Sequence, residues 1–282
     1  MGPRRLFLPA LLLVACAFAA DVPQRIVSLS PDLTEMLFGV GAFGRVVGVS
    51  NYDTYPPEVG RLPHLGQLHS PNLERLTALR PDLVIINNAQ APFLEDTIRE
   101  LGLRVLKTSN RSIAEVYSSV IAIGHASGNE AEAVRLVALM RQGLDRVARK
   151  TSGHARPRVV LVVDRTPGTL RDLYTATDGS FLAELVGIAG GRIAVPPVES
   201  GYTKLRKEDL LASDPDIILD FVHGPKSRFA GDPLEAWREM PELKAVRTKR
   251  IEGLNQDYVA HASQRMVQTA ELFARLIHPE IP

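Results

Sequence analysis

The stretch NLERLTALRPDLVI, residues 72–85, decides the fold, because residues 206–219 contain a second version of it, RKEDLLASDPDIIL. The Pro-Asp pairs of the two copies lie 134 residues apart, and the same offset aligns Glu74 with Glu208. In each copy a short helical pattern leads through Pro-Asp into an apolar run of the kind found in strands buried on both faces. The sequence therefore predicts two copies of one helix-strand unit.

Two further pairs of segments repeat in the same order. RIVSL at residues 25–29 corresponds to RVVLV at 158–162, and LFGVG at 37–41 corresponds to LVGIA at 185–189. Strand and helix patterns that alternate in this way form a mostly parallel sheet flanked by helices. We therefore predict an α/β fold of two doubly wound, Rossmann-like lobes.

An uninterrupted helical pattern separates the lobes, from Asn129 or Glu130 to Lys150. Its apolar positions recur at spacings of three and four residues, at Val137, Met140, Leu144 and Val147. At 1.5 Å per residue this helix is about 32 Å long, the width of a small domain. We predict one long interdomain helix that joins the lobes across a cleft; the alternative is a surface helix of one lobe.

The chain begins like a secretory signal peptide. Arg4 and Arg5 precede an apolar run that ends in small residues, and this run is shorter than the roughly 20 residues of a transmembrane helix. AFA at residues 17–19 has the form cleaved by signal peptidase, whereas LVAC at 13–16 resembles a lipobox, in which Cys16 would be lipidated. We expect a periplasmic protein, free or anchored through Cys16. The predicted parts are the signal peptide 1–20, the N-terminal lobe 21–125, the interdomain helix segment 126–155 and the C-terminal lobe 156–282.

The composition excludes several functions. The chain has 282 residues, with 33 Lys and Arg against 32 Asp and Glu, so its net charge of +1 offers no basic field for nucleic acid. Cys16 is the single cysteine, which allows no intrachain disulfide and no multi-cysteine zinc site. None of the seven histidines forms an i, i+4 pair on one predicted helix. We expect a monomer without a metal, a resident cofactor or a nucleic-acid partner.

The segment GVGAFG, residues 39–44, matches the G-x-G-x-x-G fingerprint of dinucleotide binding, but its context differs. The fingerprint follows a strand and opens a helix, because the pyrophosphate binds at the helix N-terminus. Here the glycines end a helix and precede a strand, so we predict a helix C-cap and a turn. No P-loop, nucleophile elbow or H-E-x-x-H motif occurs. We predict a binding protein, and a secreted two-domain α/β enzyme is the alternative.

Ligands of doubly wound sheets bind at the carboxyl ends of the strands, which selects the polar and aromatic residues that follow each strand. These are Ser30, Asn51, Tyr52, Asn88, Gln90, Asp164, Arg165, Phe221, His223, Asp257 and Tyr258. Together they predict a cleft suited to a large neutral organic ligand. Glu74 and Glu208, at equivalent points of the lobes, would lie on the two sides of its mouth, where a partner with two arginines could bind both; the alternative is two solvated helix glutamates.

Several blocks resemble the helical-backbone class of periplasmic solute-binding proteins of ABC importers. They include RIVSLSP at residues 25–31, VGVSNY at 47–52, NLER at 72–75, ALRPDLVI at 78–85 and ASQR at 262–265. The resemblance covers nearly the whole mature chain and is greatest to the vitamin B12 binders of that class. It implies two α/β lobes joined by one long helix, and capture of a solute for the permease subunits of an importer, without catalysis.

The resemblance also implies roles for particular residues. The positions at which the B12 binders contact the corrinoid correspond to Tyr52, Asp257, Tyr258, Val259, Ala260 and His261. Glu74 and Glu208 correspond to glutamates that dock arginines of the membrane-spanning subunits. The implied ligand is cobalamin or a related corrinoid, and an iron-siderophore or haem, which other members of the class carry, is the alternative.

Overall fold

The computed structural model describes residues 22–221 and 234–281. The predicted signal peptide, Cys16 and His223 lie outside these described residues. None of the helices in the described part combines the length and the apolar character that a membrane crossing requires.

The N-terminal lobe is built on a sheet of four strands: β1 (Ile26–Ser28), β2 (Val46–Gly48), β3 (Leu83–Asn87) and β4 (Val105–Thr108). Their order across the sheet is β2-β1-β3-β4, and all neighbours are parallel. Every residue of β1 and β3 is buried. The apolar runs of the sequence are therefore strands covered on both faces, as predicted.

Four helices cover this sheet: α1 (Pro31–Gly39), α2 (Leu73–Ala78), α3 (Ala91–Glu100) and α4 (Ile113–Ser127). Helices α1 and α4 pack on the face that carries Ile26 and Ile85. Helices α2 and α3 pack on the opposite face, which carries Val27 and Ile86. The lobe is therefore doubly wound. Pro92 occupies the first turn of α3, where a missing N–H costs no helical hydrogen bond.

Helix α5 (Glu130–Thr151) joins the two lobes and contains 22 residues. Its buried side includes Met140, Leu144 and Val147, at the spacing read from the sequence. These residues belong to one apolar core that contains residues of the sheets of both lobes. The fold prediction of two lobes joined by one long helix is confirmed.

The C-terminal lobe contains β5 (Arg158–Asp164), β6 (Tyr174–Ala176), β7 (Arg192–Ile193), β8 (Tyr202–Lys204), β9 (Ile217–Phe221) and β10 (Ile251–Leu254). The sheet order is β10-β9-β5-β6-β8, with β7 also paired to β5. Strands β10, β9, β5 and β7 are parallel, whereas β6 is antiparallel to β5 and β8 to β6. The antiparallel edge arises because the connection from β5 to β6 is too short for a parallel crossover.

The helices of this lobe are α6 (Phe181–Ile188), α7 (Lys207–Ser213), α8 (Lys244–Arg247) and α9 (Met266–Ile277). Helices α6 and α9 share the core of α5. On the opposite face of the sheet, Leu210 of α7 packs with Trp237 and Leu243. This lobe too has helical cover on both faces.

The repeated Pro-Asp pair has the same structural role in both lobes. The carboxylate of Asp82 accepts hydrogen bonds from the backbone N–H groups of Gln24 (2.7 Å) and Arg25 (3.0 Å), immediately before β1. The carboxylate of Asp216 accepts one from the backbone N–H of Arg158 (2.8 Å), at the start of β5. Each aspartate N–H also donates to the carbonyl of the corresponding arginine, at 2.9 Å in both lobes. The repeat therefore fixes the start of β3 or β9 against its neighbouring strand.

We expect Asp82→Ala and Asp216→Ala each to lower the free energy of unfolding by about 1–2 kcal/mol, because backbone donors at the strand starts lose a charged acceptor. Urea denaturation followed by circular dichroism measures the change. Asp96→Ala, which removes an exposed aspartate of α3, is the matched control. Equal stabilities of all three variants and the unaltered protein would show that the repeat has another origin.

Candidate functional site

A cavity of about 860 Å³ lies between the lobes. It is lined by Asn88, Ala89, Asn110, Arg111, Phe181, Val198, Glu199, Ser200, Tyr202 and Ala260. The first four follow β3 and β4 of the N-terminal lobe, and the other six belong to the C-terminal lobe. A second cavity, of about 340 Å³, lies between α5 and α9 and has no lining residue from the N-terminal lobe among those described. The larger cavity is therefore the candidate ligand site, at the edge where parallel strands end.

The lobes are joined beside this cavity by the carboxylate of Glu35, on α1, whose exposed fraction is 1%. Its Oε1 accepts a hydrogen bond from Nη1 of Arg265 (3.0 Å) and lies 2.8 Å from Nδ1 of His261. Its Oε2 accepts from the hydroxyl of Ser263. All three partners belong to the C-terminal lobe. A buried carboxylate of one lobe is thus satisfied by the other lobe.

Arg265 extends this contact toward the surface. Its guanidinium lies between the rings of Tyr55 (4.6 Å to the centroid) and Tyr258 (4.7 Å), which stabilise it by cation–π interactions. Its Nη2 also donates to Asp257 (3.1 Å), and the other oxygen of Asp257 accepts from the hydroxyl of Thr54 (2.8 Å). The segments 54–55 and 257–258, from opposite lobes, are therefore in direct contact.

Two groups of this cluster have shifted pKa values. Burial alone would lower the pKa of His261, but the hydrogen bond and charge of Glu35, together with the charges of Asp32 and Asp257, raise it above its ordinary value. Partial burial would raise the pKa of Asp257, but its hydrogen bonds and the neighbouring Arg265 charge lower it. Both shifts favour the charged forms, so the cluster is an ion network that spans the lobes.

The residues that the resemblance assigned to the ligand have different surroundings. Tyr52 is 48% exposed, and its hydroxyl donates to the side chain of Gln67. Asp257, Tyr258 and His261 belong to the cross-lobe cluster. Ala260 lines the cavity. The side chain of Val259 is fully buried in the core.

Several of the residues that were selected because they follow a strand do not line the cleft. Gln90 is buried and donates to the carbonyls of Leu29 and Leu68. Arg165 is buried against Asp220, and Phe221 is buried in the core. The prediction is wrong for Gln90, Arg165 and Phe221, because position after a strand fixes the edge of the sheet but not the direction of the side chain. Asn88 does line the cavity.

The sequence analysis did not identify Glu35, Arg111 or Tyr202 as residues of this site. Glu35 is a carboxylate in a helix whose neighbours Leu33, Met36 and Leu37 are all core residues, and this contrast is a signal for a functional role. Arg111 lies after β4 and could have been selected for that reason. Tyr202 is on β8, a strand that the sequence pattern did not indicate.

Glu74 and Glu208 occupy the same place in the two lobes. Each is the second residue of its helix, α2 or α7, and each is exposed. Among the described residues, neither carboxylate has an ion-pair partner or a side-chain hydrogen bond. The described residues also contain no group of three His, Cys, Asp or Glu side chains placed to hold a metal ion.

The family model described as "Periplasmic binding protein" matches residues 26–258. The chain belongs to this family. It is 30% identical over 265 residues to the uncharacterized ABC transporter substrate-binding lipoprotein YvrC of Bacillus subtilis, covering 92% of this chain and 81% of the relative. It is 25% identical over 269 residues to the vitamin B12-binding protein of Vibrio cholerae, covering 92% of this chain and 94% of the relative.

The fold is shared with solved structures of this class. A periplasmic haem binding protein from Pseudomonas aeruginosa superposes with a TM-score of 0.78 at 24% identity, covering 92% of this chain and 94% of that one. Together with the family match, this confirms the resemblance read from the sequence. Periplasmic binding proteins of ABC transporters capture solutes and work with membrane permease components, and this family role is one of transport and not of catalysis.

The cross-lobe cluster predicts a pH-dependent stability. The pKa of His261 in the folded protein lies above the unfolded value of about 6.5, so its contribution is present below that pH and is lost as pH rises through the folded-state pKa. We expect His261→Gln to lower the free energy of unfolding by about 1 kcal/mol more at pH 6 than at pH 9. His125→Gln, at an exposed histidine, is the control. A loss that is equal at both pH values would contradict a charged His261.

Proposed function

We propose that this protein captures cobalamin or a related corrinoid between its lobes and delivers it to the permease of an ABC importer. The observation that carries the proposal is the chemistry of the cavity lining. Asn88 and Asn110 offer side-chain amides, Ser200 a hydroxyl, and Phe181 and Val198 apolar surface. A corrinoid has a broad ring with amide side chains along its rim, so such groups can pair with it without burying an unmatched charge.

Two further observations support a corrinoid. The similarity to the Vibrio cholerae vitamin B12-binding protein extends over nearly all of both chains. Asp257 accepts a hydrogen bond from Thr54 of the other lobe, two residues after Tyr52, and Ala260 of the segment from Asp257 to His261 lines the cavity. We infer that the corrinoid lies against these residues, with Val259 contributing only through its backbone.

Haem or a ferric siderophore is the second candidate, and the fold shared with a haem binding protein favours considering haem. Haem iron takes an axial ligand from the protein, such as the oxygen of a tyrosine. Tyr202 is the tyrosine among the cavity-lining residues, and burial raises its pKa to about 12. The described lining thus offers haem one tyrosine oxygen, whereas it offers a corrinoid the side-chain amides of Asn88 and Asn110, and we therefore propose the corrinoid.

Isothermal titration calorimetry tests the ligand directly. We expect cyanocobalamin to bind with a stoichiometry of about 1:1, and saturating cyanocobalamin to raise the melting temperature, since it binds only the folded protein. Asn88→Ala should weaken binding by about fivefold to tenfold, because one amide hydrogen bond to the ligand is lost. Asn255→Ala, at an exposed site outside the lining, is the control. Tight binding of haem or a ferric siderophore, with no heat from cyanocobalamin, would refute the assignment.

We further propose that Glu74 and Glu208 dock the permease. Both carboxylates are exposed, and both lie in the first turn of a helix in equivalent positions. Each carboxylate could form charge-assisted hydrogen bonds with one arginine of a pair, one arginine on each permease subunit. A surface receptor that acts without a transporter has no need of the pair.

We expect the double variant Glu74→Ala with Glu208→Ala to keep the affinity for cyanocobalamin and to lose most transport into cells or proteoliposomes. The carboxylates are outside the cavity, so only docking should change. The matched control is Glu100→Ala with Glu242→Ala, which removes one exposed glutamate from each lobe. Transport equal to that of the control would contradict the docking role, and a loss of ligand affinity would place the pair at the ligand instead.

The family and the N-terminal sequence both support export. Periplasmic binding proteins act outside the cytoplasmic membrane, and the similar Bacillus subtilis protein is a substrate-binding lipoprotein. We propose that residues 1–20 direct secretion. The chain is then either released after the signal peptide or held at the membrane by a lipid on Cys16.

A further inference from the structure

We infer that Arg111 is an anion-binding residue of the cavity and that it selects ligands carrying a negatively charged oxygen. The inference rests on the proposed function, because it concerns the same cavity. It adds a chemical requirement that the neutral amides and hydroxyls of the lining do not impose.

The charge distribution of the cavity is the first observation. Among the described residues that line it, Arg111 and Glu199 are the two with charged side chains. Nη2 of Arg111 donates to the backbone carbonyl of Glu199 at 3.1 Å, not to its carboxylate. In the described part of the chain, no carboxylate lies within ion-pair distance of this guanidinium. The guanidinium therefore has no ion-pair partner among the described residues, although the Glu199 carboxylate lines the same cavity.

Local contacts hold Arg111 in place. Its backbone N–H donates to Oε2 of Glu115 (2.9 Å), which also accepts from the hydroxyl of Ser109. The preceding Asn110 donates to Oδ2 of Asp32 at 3.1 Å. The segment 109–111 is thus fixed at the start of α4. The guanidinium then reaches across to the opposite lobe, where it faces the space that the ligand would occupy.

A guanidinium in this position favours a specific class of ligand group. Its planar donors bind the oxygens of phosphate and carboxylate groups with stronger, charge-assisted hydrogen bonds than neutral acceptors allow. A complete corrinoid supplies such oxygens in the phosphodiester of its nucleotide loop, and haem supplies them in its propionates. The shared chemistry is an anionic oxygen, and we expect complete corrinoids to be preferred over corrinoids that lack the nucleotide loop.

The test compares ligands that differ in this charge. Calorimetry is carried out with cyanocobalamin and with dicyanocobinamide, which lacks the phosphodiester, and in a second arm with haem and its dimethyl ester. We expect Arg111→Gln to weaken cyanocobalamin binding by about tenfold and to leave dicyanocobinamide binding unchanged. Arg111→Lys should retain part of the preference, because the charge remains without the planar fork. The control is Arg192→Gln, which removes an exposed arginine of β7. Arg192 pairs with Arg158 at the start of β5, whereas the cavity lies where the parallel strands end.

The outcomes separate the inference from the proposed function. If Arg111→Gln weakens both members of a ligand pair equally, or neither, the inference is wrong even though the ligand binds. If the unaltered protein binds only the haem pair, the corrinoid proposal fails, and a selective loss for haem over its ester still supports Arg111 as an anion-binding residue. If it binds neither pair, both are overturned. Melting temperatures of the unliganded variants show whether a loss of affinity is a loss of folding.

Discussion

The buried carboxylate of Glu35 is the interaction on which the cleft depends. Its hydrogen-bonding partners, His261, Ser263 and Arg265, all come from the other lobe. Removing one partner from a buried charge pair costs about 3–5 kcal/mol, because the remaining charge is left without compensation. The two lobes are therefore held at a fixed distance along one side of the cavity. The stacking of Arg265 between Tyr55 and Tyr258 adds an apolar layer to the same contact.

A second constraint acts from behind the cleft. The buried side of α5 belongs to one apolar core shared by both sheets, so large rotations of one lobe would expose this core to water. The carboxyl edges of the two sheets consequently stay on either side of the cavity. A cleft confined in this way is suited to a rigid ligand of fixed size. The proposed docking residues lie elsewhere, in the exposed first turns of α2 and α7, so ligand capture and docking use different surfaces.

Much of the fold could be predicted from the sequence because the same helix-strand unit occurs in both lobes. The Pro-Asp repeat identified equivalent strands, and its physical basis is local: Asp82 and Asp216 bind the backbone immediately before or at the start of a neighbouring strand. The amphipathic pattern likewise predicted α5 to within one residue of its end, at Thr151. Such features depend on short-range patterns that a sequence displays directly.

The site was predictable only in part, because side-chain direction and contacts between distant segments are not encoded in a short pattern. Gln90 and Arg165 follow strands as cleft residues do, yet both are used to satisfy buried groups within a lobe. Glu35 and His261 lie 226 positions apart, and only the folded chain brings them together. The assignment of Tyr52 and of the segment 257–261 came from resemblance, and it stays a prediction about the ligand.

We propose that the two lobes form a single corrinoid site whose width is fixed by the Glu35 contact. A crystal structure of the protein with cyanocobalamin tests this most directly. We expect the corrinoid between Asn88 and Asn110 on one side and Tyr202 and Ala260 on the other, with Glu35 still bound to Arg265. A corrinoid bound to one lobe alone, or in the cavity between α5 and α9, would contradict it.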